Sequence, residues 1–442
     1  MESILVKTAQ LLLSLSILVI LHEFGHFICA RLFKTRVEKF YLFFNPWFSL
    51  FKLKKGETEY GIGWLPLGGY VKIAGMIDES MDKEAMKLPP QPYEFRSKPA
   101  LQRLLIMLGG ILMNFLFALV IYIGILYVWG VEYLPTKEAK YGIVASETGR
   151  KIGLQTGDKI LTVDGKYIDE FYKIIPTVVL DNAKSIQVER NGQTVNIPIT
   201  DNDLALLLKS KDVMTVRYPF NLVVDGFSKE SPAKNAGILV GDTIKGINGQ
   251  IFRFGDEFDT AIHADKGRKV DINISRKGSQ LTIPVQLDKN GLLGVKYKNS
   301  FDKFFKFRTI KYGFLASIPA GLSKGVQTTK DYLKQFKLLF KPETKAYESL
   351  GGIITFGSIF PGVWDWQSFW TMTAFISIIL AIMNLLPIPA LDGGHVMFLL
   401  FEMITGRKPG EKFLEYAQII GMILLLALVL LANANDIIKL FN

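Results

Sequence analysis

The sequence predicts a multi-pass α-helical membrane protein of four transmembrane helices, with two external α+β domains between the second and third. Three observations predict it. Four apolar segments are long enough to cross a bilayer. Two histidines and a glutamate arrive together inside the first of them. A glycine and aspartate pattern occurs twice in the long interval between the second and third. Composition agrees, because 49% of residues are hydrophobic while 21% are charged, which suits spans joined to a water-soluble part.

The first apolar segment runs from Ile4 to Phe33, and Thr8 to Leu21 carries no charge. Met1-Glu2 with a single Lys7 makes a poor signal-peptide start, and no small-residue cleavage site follows, so the segment reads as a retained span. Arg31, Lys34, Arg36, Lys39, Lys52, Lys54 and Lys55 crowd its exit. Between them and the second span, Glu59 to Lys72 reads as a short strand, a Pro-x-Gly-Gly turn and a second strand. The second span, Leu104 to Val131, and the third, Gln367 to Ala390, are uncharged, and apolar character resumes at Val396 to Phe401. The fourth is Tyr416 to Asn435. Arg407, Lys408 and Lys412 fill the link before it, so both basic clusters belong in the cytoplasm. The N-terminus and the region from about Glu132 to Asp365 are then external.

That external region contains the repeat. Gly153, Asp158 and Gly165 return as Gly237, Asp242 and Gly249, each 84 residues on. A constant offset across three landmarks argues for two copies of one domain, 132–216 and 217–300. Short β-type runs such as Lys159 to Val163 and turns such as Asn191-Gly192 make each copy β-rich. The pattern resembles PDZ domains, which bind extended peptide ends by adding a strand to a sheet edge. In the linker 301–366, Phe304, Phe305, Phe307, Phe314 and Leu315 interleave with Lys303, Lys306, Arg308 and Lys311, which reads as a basic amphipathic helix. The net charge of +11 comes without any nucleic-acid motif, and anionic lipid accounts for it. The one cysteine, Cys29, excludes an internal disulfide and reads as a small hydrophobe within the first span.

The chemistry lies in His22-Glu23-Phe24-Gly25-His26. On a helix His22 and His26 share one face and can hold one metal ion, with Glu23 beside them as general base. Ionisable groups at membrane depth are costly and functional by default. A catalytic zinc site takes three protein ligands and keeps one position open. The third ligand is sought in Asn384-Leu-Leu-Pro-Ile-Pro-Ala-Leu-Asp392-Gly393-Gly394-His395, where Asp392 and His395 both qualify. The prolines break the helix there, and Gly393-Gly394 allow unusual backbone angles. Asn114 and Asn384 are polar at membrane depth and suit a water path. His263 sits in a polar stretch and reads as a surface residue.

The HEFGH motif, the NLLPIPALDGG segment and the paired PDZ-like domains together resemble the site-2 protease family of intramembrane zinc metalloproteases, across essentially the whole chain. The resemblance implies that His22, His26 and Asp392 bind zinc, that Glu23 activates water, and that Asn384 holds the substrate backbone. It implies that the Glu59 to Lys72 stretch is a membrane-re-entrant β-hairpin, along which Gly61, Ile62 and Gly63 would receive an extended substrate. The catalytic membrane parts are then 1–131 and 367–442. Phe43-Phe44-Asn45, Gly110-Ile-Leu-Met-Asn114 and Gly351-Gly352 depart from motifs common in the family. The implied substrates are single-span membrane proteins already trimmed outside, such as anti-sigma factors, and remnant signal peptides. The implied location is a bacterial inner membrane, with the PDZ-like pair as a peptide dock or size gate. The rival reading is a non-enzymatic membrane scaffold in which a closed site of four protein ligands holds a structural metal.

Overall fold

The computed structural model describes residues 2–66, 68–76, 89–210, 212–220, 222–297, 304–338 and 351–441. The chain divides into two compact units: the membrane-type helices with their sheet form one, and most of 131–310 forms the other. Among the described residues four helices are long and apolar enough to cross a membrane, as the uncharged runs predict. They are α1 (Glu2–Leu32), α2 (Ala100–Val128), α3 (Trp366–Leu385) and a final helix, Glu411–Phe441. Pro387 and Pro389 end α3, and a separate helix, α4 (Asp392–Thr405), starts beyond them. The last helix is α5.

Helices α1 and α2 approach backbone to backbone. A Cβ on Gly25 would lie 2.2 Å from the Gly109 carbonyl oxygen, so only glycine permits this crossing. Lys98 Nζ donates to Lys34 O, and Lys408 Nζ reaches Arg96 O, so both basic clusters gather at one end of this unit. At the other end Gln10 donates to Pro361 O, beside an aromatic group that includes Trp364, Trp366 and Phe369. Aromatic rings at a span's end suit the membrane–water interface. The helix Phe314–Leu338 lies along α2, where Gly321 and Gly325 leave room for Ile123 and Leu119.

Glu59 to Lys72 does not pair with itself as a hairpin. The stretch after α1 forms a four-stranded sheet of β1 (Val37–Leu42), β2 (Phe51–Lys55), β3 (Thr58–Ile62) and β4 (Tyr70–Ile73), in the order β2-β3-β1-β4. The expected partners β3 and β4 do not touch: β1 lies between them, parallel to β3 and antiparallel to β4. Leu67, in the expected turn, lies outside the described residues.

In the second unit the repeat is structural. Gly153 and Gly237 have φ of 96° and 91°, and Asp164 and Asn248 have 48° and 51°. In the first copy, Arg190 donates to both oxygens of buried Asp158 and to Gly153 O. In the second, Arg276 does the same with Asp242 and Gly237 O. The first copy pairs β5 (Lys159–Val163), β6 (Ser185–Arg190) and β7 (Gln193–Pro198). The second builds a longer sheet from β8 (Leu222–Phe227), β9 (Thr243–Ile247), β10 (Lys269–Arg276), β11 (Ser279–Gln286) and β12 (Val295–Tyr297), in the order β11-β10-β9-β8-β12. Each copy has its own apolar core.

The basic linker departs from expectation. Arg308–Ile310 is a strand paired with Val131–Tyr133, and Phe304, Phe305 and Phe307 join the first copy's core. The aromatic spacing that suggests a helix face is the inward side of a chain held by this non-local pairing. The linker's long described helix is Phe314–Leu338. Residues 298–303, around the expected end of the second copy, and 339–350 of the linker lie outside the described residues.

Candidate metal centre

His22 and His26 lie one turn apart on α1, with ring centroids 4.8 Å apart and Nε2 atoms 3.3 Å apart. Asp392, the first residue of α4, brings Oδ2 to 3.1 Å from His22 Nε2 and 3.3 Å from His26 Nε2. The proline loop makes this possible by folding back on the start of α4. A Cβ on Gly393 would meet Leu386 O at 2.2 Å, and one on Gly394 would meet the Pro389 Cα at 2.4 Å. Neither glycine is left-handed, so their role is close approach rather than unusual backbone angles.

With both imidazoles neutral and carrying their hydrogen on Nδ1, these three lone-pair atoms repel one another unless a cation joins them. Asp392 Oδ2 is buried and has no hydrogen bond. Two imidazoles and one carboxylate fit a tetrahedral zinc with one position open. His22, His26 and Asp392 form a metal-type cluster among the described residues, and His395 is outside it. His395 instead lines a cavity of about 380 Å³ together with the cluster and Glu23.

The sheet supplies the cavity's opposite wall. Gly69, Tyr70, Val71 and Ile73 line it, and Gly69 approaches Val19 and Glu23 so closely that a Cβ would lie 2.7 Å from Val19 Cγ1. The expectation for Gly61, Ile62 and Gly63 is corrected here. They lie on or beside β3, which is hydrogen-bonded to β1 on one side and β2 on the other, so no edge is open to a substrate strand. Gly61 makes room for the Tyr41 ring, 2.2 Å from where a Cβ would stand, and Gly63 for Phe44 O. The end strand facing the cavity is β4.

Asn384 places Nδ2 3.4 Å from His22 Nε2. Asn114 is fully buried beside His22 and is not among the residues lining the cavity. Gln418 of α5 lines the cavity, and its signal is an amide near the start of an apolar span.

A family model described as peptidase family M50 matches residues 10–428. The chain is similar to the regulator of sigma E protease of Haemophilus influenzae, 28% identical over 457 residues that cover 99% of this chain and all of that one. It is also similar to protease RseP of Yersinia pestis, 28% identical over the full length of both. A Neisseria meningitidis relative whose name describes a zinc metalloprotease is 28% identical, covering 96% of this chain and 97% of the relative.

Proposed function

Because the chain belongs to peptidase family M50, we propose that it is an intramembrane zinc metalloprotease in which His22, His26 and Asp392 hold the ion and Glu23 is the general base. The observation that carries this reading is the convergence of both Nε2 atoms and the Asp392 carboxylate in a cavity that Glu23 also lines. A three-member cluster favours a catalytic site over the closed four-ligand site of a scaffold. When bound, the ion polarises the scissile carbonyl and draws the pKa of its water towards about 7. Glu23 accepts the water proton and delivers it to the leaving nitrogen.

A transmembrane helix hides its carbonyls in i to i−4 bonds, so the substrate must be extended before attack. Strand β4 ends its sheet and lines the cavity, which supports pairing of the extended substrate along Tyr70 to Ile73. Asn384, beside His22, then holds the substrate backbone at the reacting bond. The basic end of the helical unit faces the cytoplasm, and the repeat is external, in a bacterial inner membrane. The substrates are single-span proteins with trimmed external parts, of the anti-sigma-factor kind, or remnant signal peptides. The two copies in 131–297 act as PDZ-like domains that screen substrates by bulk or hold a peptide end.

The test is co-expression of wild-type or Glu23→Gln protein with tagged single-span proteins, with zinc measured on the same preparations. Wild-type protein yields a shortened product and holds about one zinc. Glu23→Gln keeps the zinc and loses the product. A His22→Ala/Asp392→Ala double variant that retains full zinc would overturn the ligand assignment.

A further inference from the structure

A histidine that ligates through Nε2 carries its hydrogen on Nδ1, and that hydrogen needs an acceptor to fix the ring. For His26 the acceptor is the Ile106 carbonyl oxygen, 2.9 Å from Nδ1. For His22 the group at Nδ1 is the Asn114 amide, with Nδ2 at 3.5 Å. Asn114 is wholly buried and its Oδ1 has no hydrogen-bond partner. A half-turn of that amide exchanges nitrogen for oxygen and presents an acceptor to Nδ1. Its backbone is anchored too, since Ser377 Oγ of α3 donates to Asn114 O at 2.7 Å.

Ile106, Gly110 and Asn114 follow one another at intervals of four and so form one stripe of α2. The middle residue has no side chain because the rings fill its place: a Cβ there would lie 2.4 Å from His26 Nε2 and 2.8 Å from His22 Nδ1. We infer that this stripe is a second layer of the metal site, in which Ile106 O and Asn114 Oδ1 accept the two Nδ1–H groups and so aim both Nε2 lone pairs at the ion. Asn114 is the positioning residue for His22. The inference rests on the zinc reading above.

The experiment measures zinc retention by full-length protein against a graded chelator. Loss of an outer-layer partner weakens metal binding about 10–100-fold, and Asn114→Leu, which keeps size and removes the acceptor, should show that loss. Asn114→Asp keeps an acceptor oxygen and should hold zinc as wild type does. Asn114→Ala replaces the leucine variant if that one fails to fold, and it should lose affinity similarly. The d–d spectrum of cobalt-loaded protein should change in the leucine or alanine variant and not in the aspartate variant. Wild-type affinity in Asn114→Leu or Asn114→Ala, or equal loss in Asn114→Asp, overturns the inference. If His22→Ala/Asp392→Ala also keeps its zinc, the zinc reading itself fails; if only that double variant loses zinc, the positioning role alone fails.

Discussion

Alanine at position 110 is the smallest change that presses on the proposed metal site without replacing any of its ligands. The added methyl carbon would stand 2.4 Å from His26 Nε2, whereas ordinary contact begins at 3.4 Å, so about 1 Å of movement is required. Neither neighbour yields easily. His26 is buried and bonded to Ile106 O, and α1 is pressed on α2 by the Gly25–Gly109 crossing. A misplacement of about 1 Å costs on the order of 100-fold in rate when reacting groups must be aligned. Gly110→Ala should therefore lower cleavage of a tagged single-span substrate by about that factor, with partial loss of zinc. Gly124 of the same helix is the control, because a Cβ there meets nothing within 4 Å. Gly124→Ala should leave cleavage intact and gain up to about 1 kcal/mol from helix propensity. Cleavage rate, bound zinc and melting temperature are read on one preparation. A well-folded Gly110→Ala protein that cleaves at the wild-type rate would refute the packing argument.

Three further outcomes follow from the same geometry. In a Cys29→Ala background, cysteine at Val71 on β4 should cross-link to a cysteine near the substrate's scissile bond, and cysteine at Leu53 on β2 should not; the reverse pattern would move the substrate to the other edge of the sheet. Cysteine at Lys229 should react with an impermeant external thiol reagent while cysteine at Lys54 stays protected, and opposite labelling would invert the proposed topology. In the second repeat copy, the Arg276 guanidinium holds the Asp242 carboxyl below its usual range. A lowered folded pKa gives stability that is present above the unfolded value of about 3.9 and is lost as pH falls through the folded one. The protection of Thr243–Ile247 amides, taken against the unfolded-chain exchange rate at each pH, should thus fall below about pH 4, and Asp242→Asn should flatten that dependence.

The helices and the His22–His26–Asp392 cluster were legible because each signal is local and scarce. An uncharged run of span length is seldom anything but a span, and His22, His26 and Asp392 are ligand types in segments nearly free of them. The residues alone left Asp392 and His395 open, since both flank Gly393-Gly394; the resemblance favoured Asp392, and Asp392 is the one that joins the cluster with His22 and His26. The repeat was legible because its landmarks are glycines and short polar residues in left-handed conformations, where few residue types substitute. The sheet was not legible. Val37–Leu42 reads as part of a basic link, and its insertion between β3 and β4 depends on pairings distant in sequence. The phenylalanines at 304, 305 and 307 misled for the same reason, because Arg308–Ile310 is held by Val131–Tyr133.

The residues hardest to read from sequence share a physical character: each acts by what it leaves out. Gly25 and Gly109 admit a helix crossing, Gly110 admits two imidazoles, Gly61 admits the Tyr41 ring, and Gly393 and Gly394 admit the proline loop. A sequence reading assigns glycine to turns or to substrate approach, since the neighbour that occupies the missing side chain's place comes from another element. Gly61 shows the consequence. Its bare backbone suggested room for a substrate, yet that room is filled by the protein's own tyrosine, and both flanks of its strand are bonded. The free backbone lies on β4, where Gly69 brings the strand's start against α1 at Val19 and Glu23. The same glycine-dependent closeness that packs the helices therefore sets the distance between Glu23, the proposed general base, and the strand on which the substrate would lie. An added methyl group at Gly69 should disturb cleavage more than zinc content, since it meets Val19 and the Tyr41 carbonyl at 2.7 Å and touches no ligand.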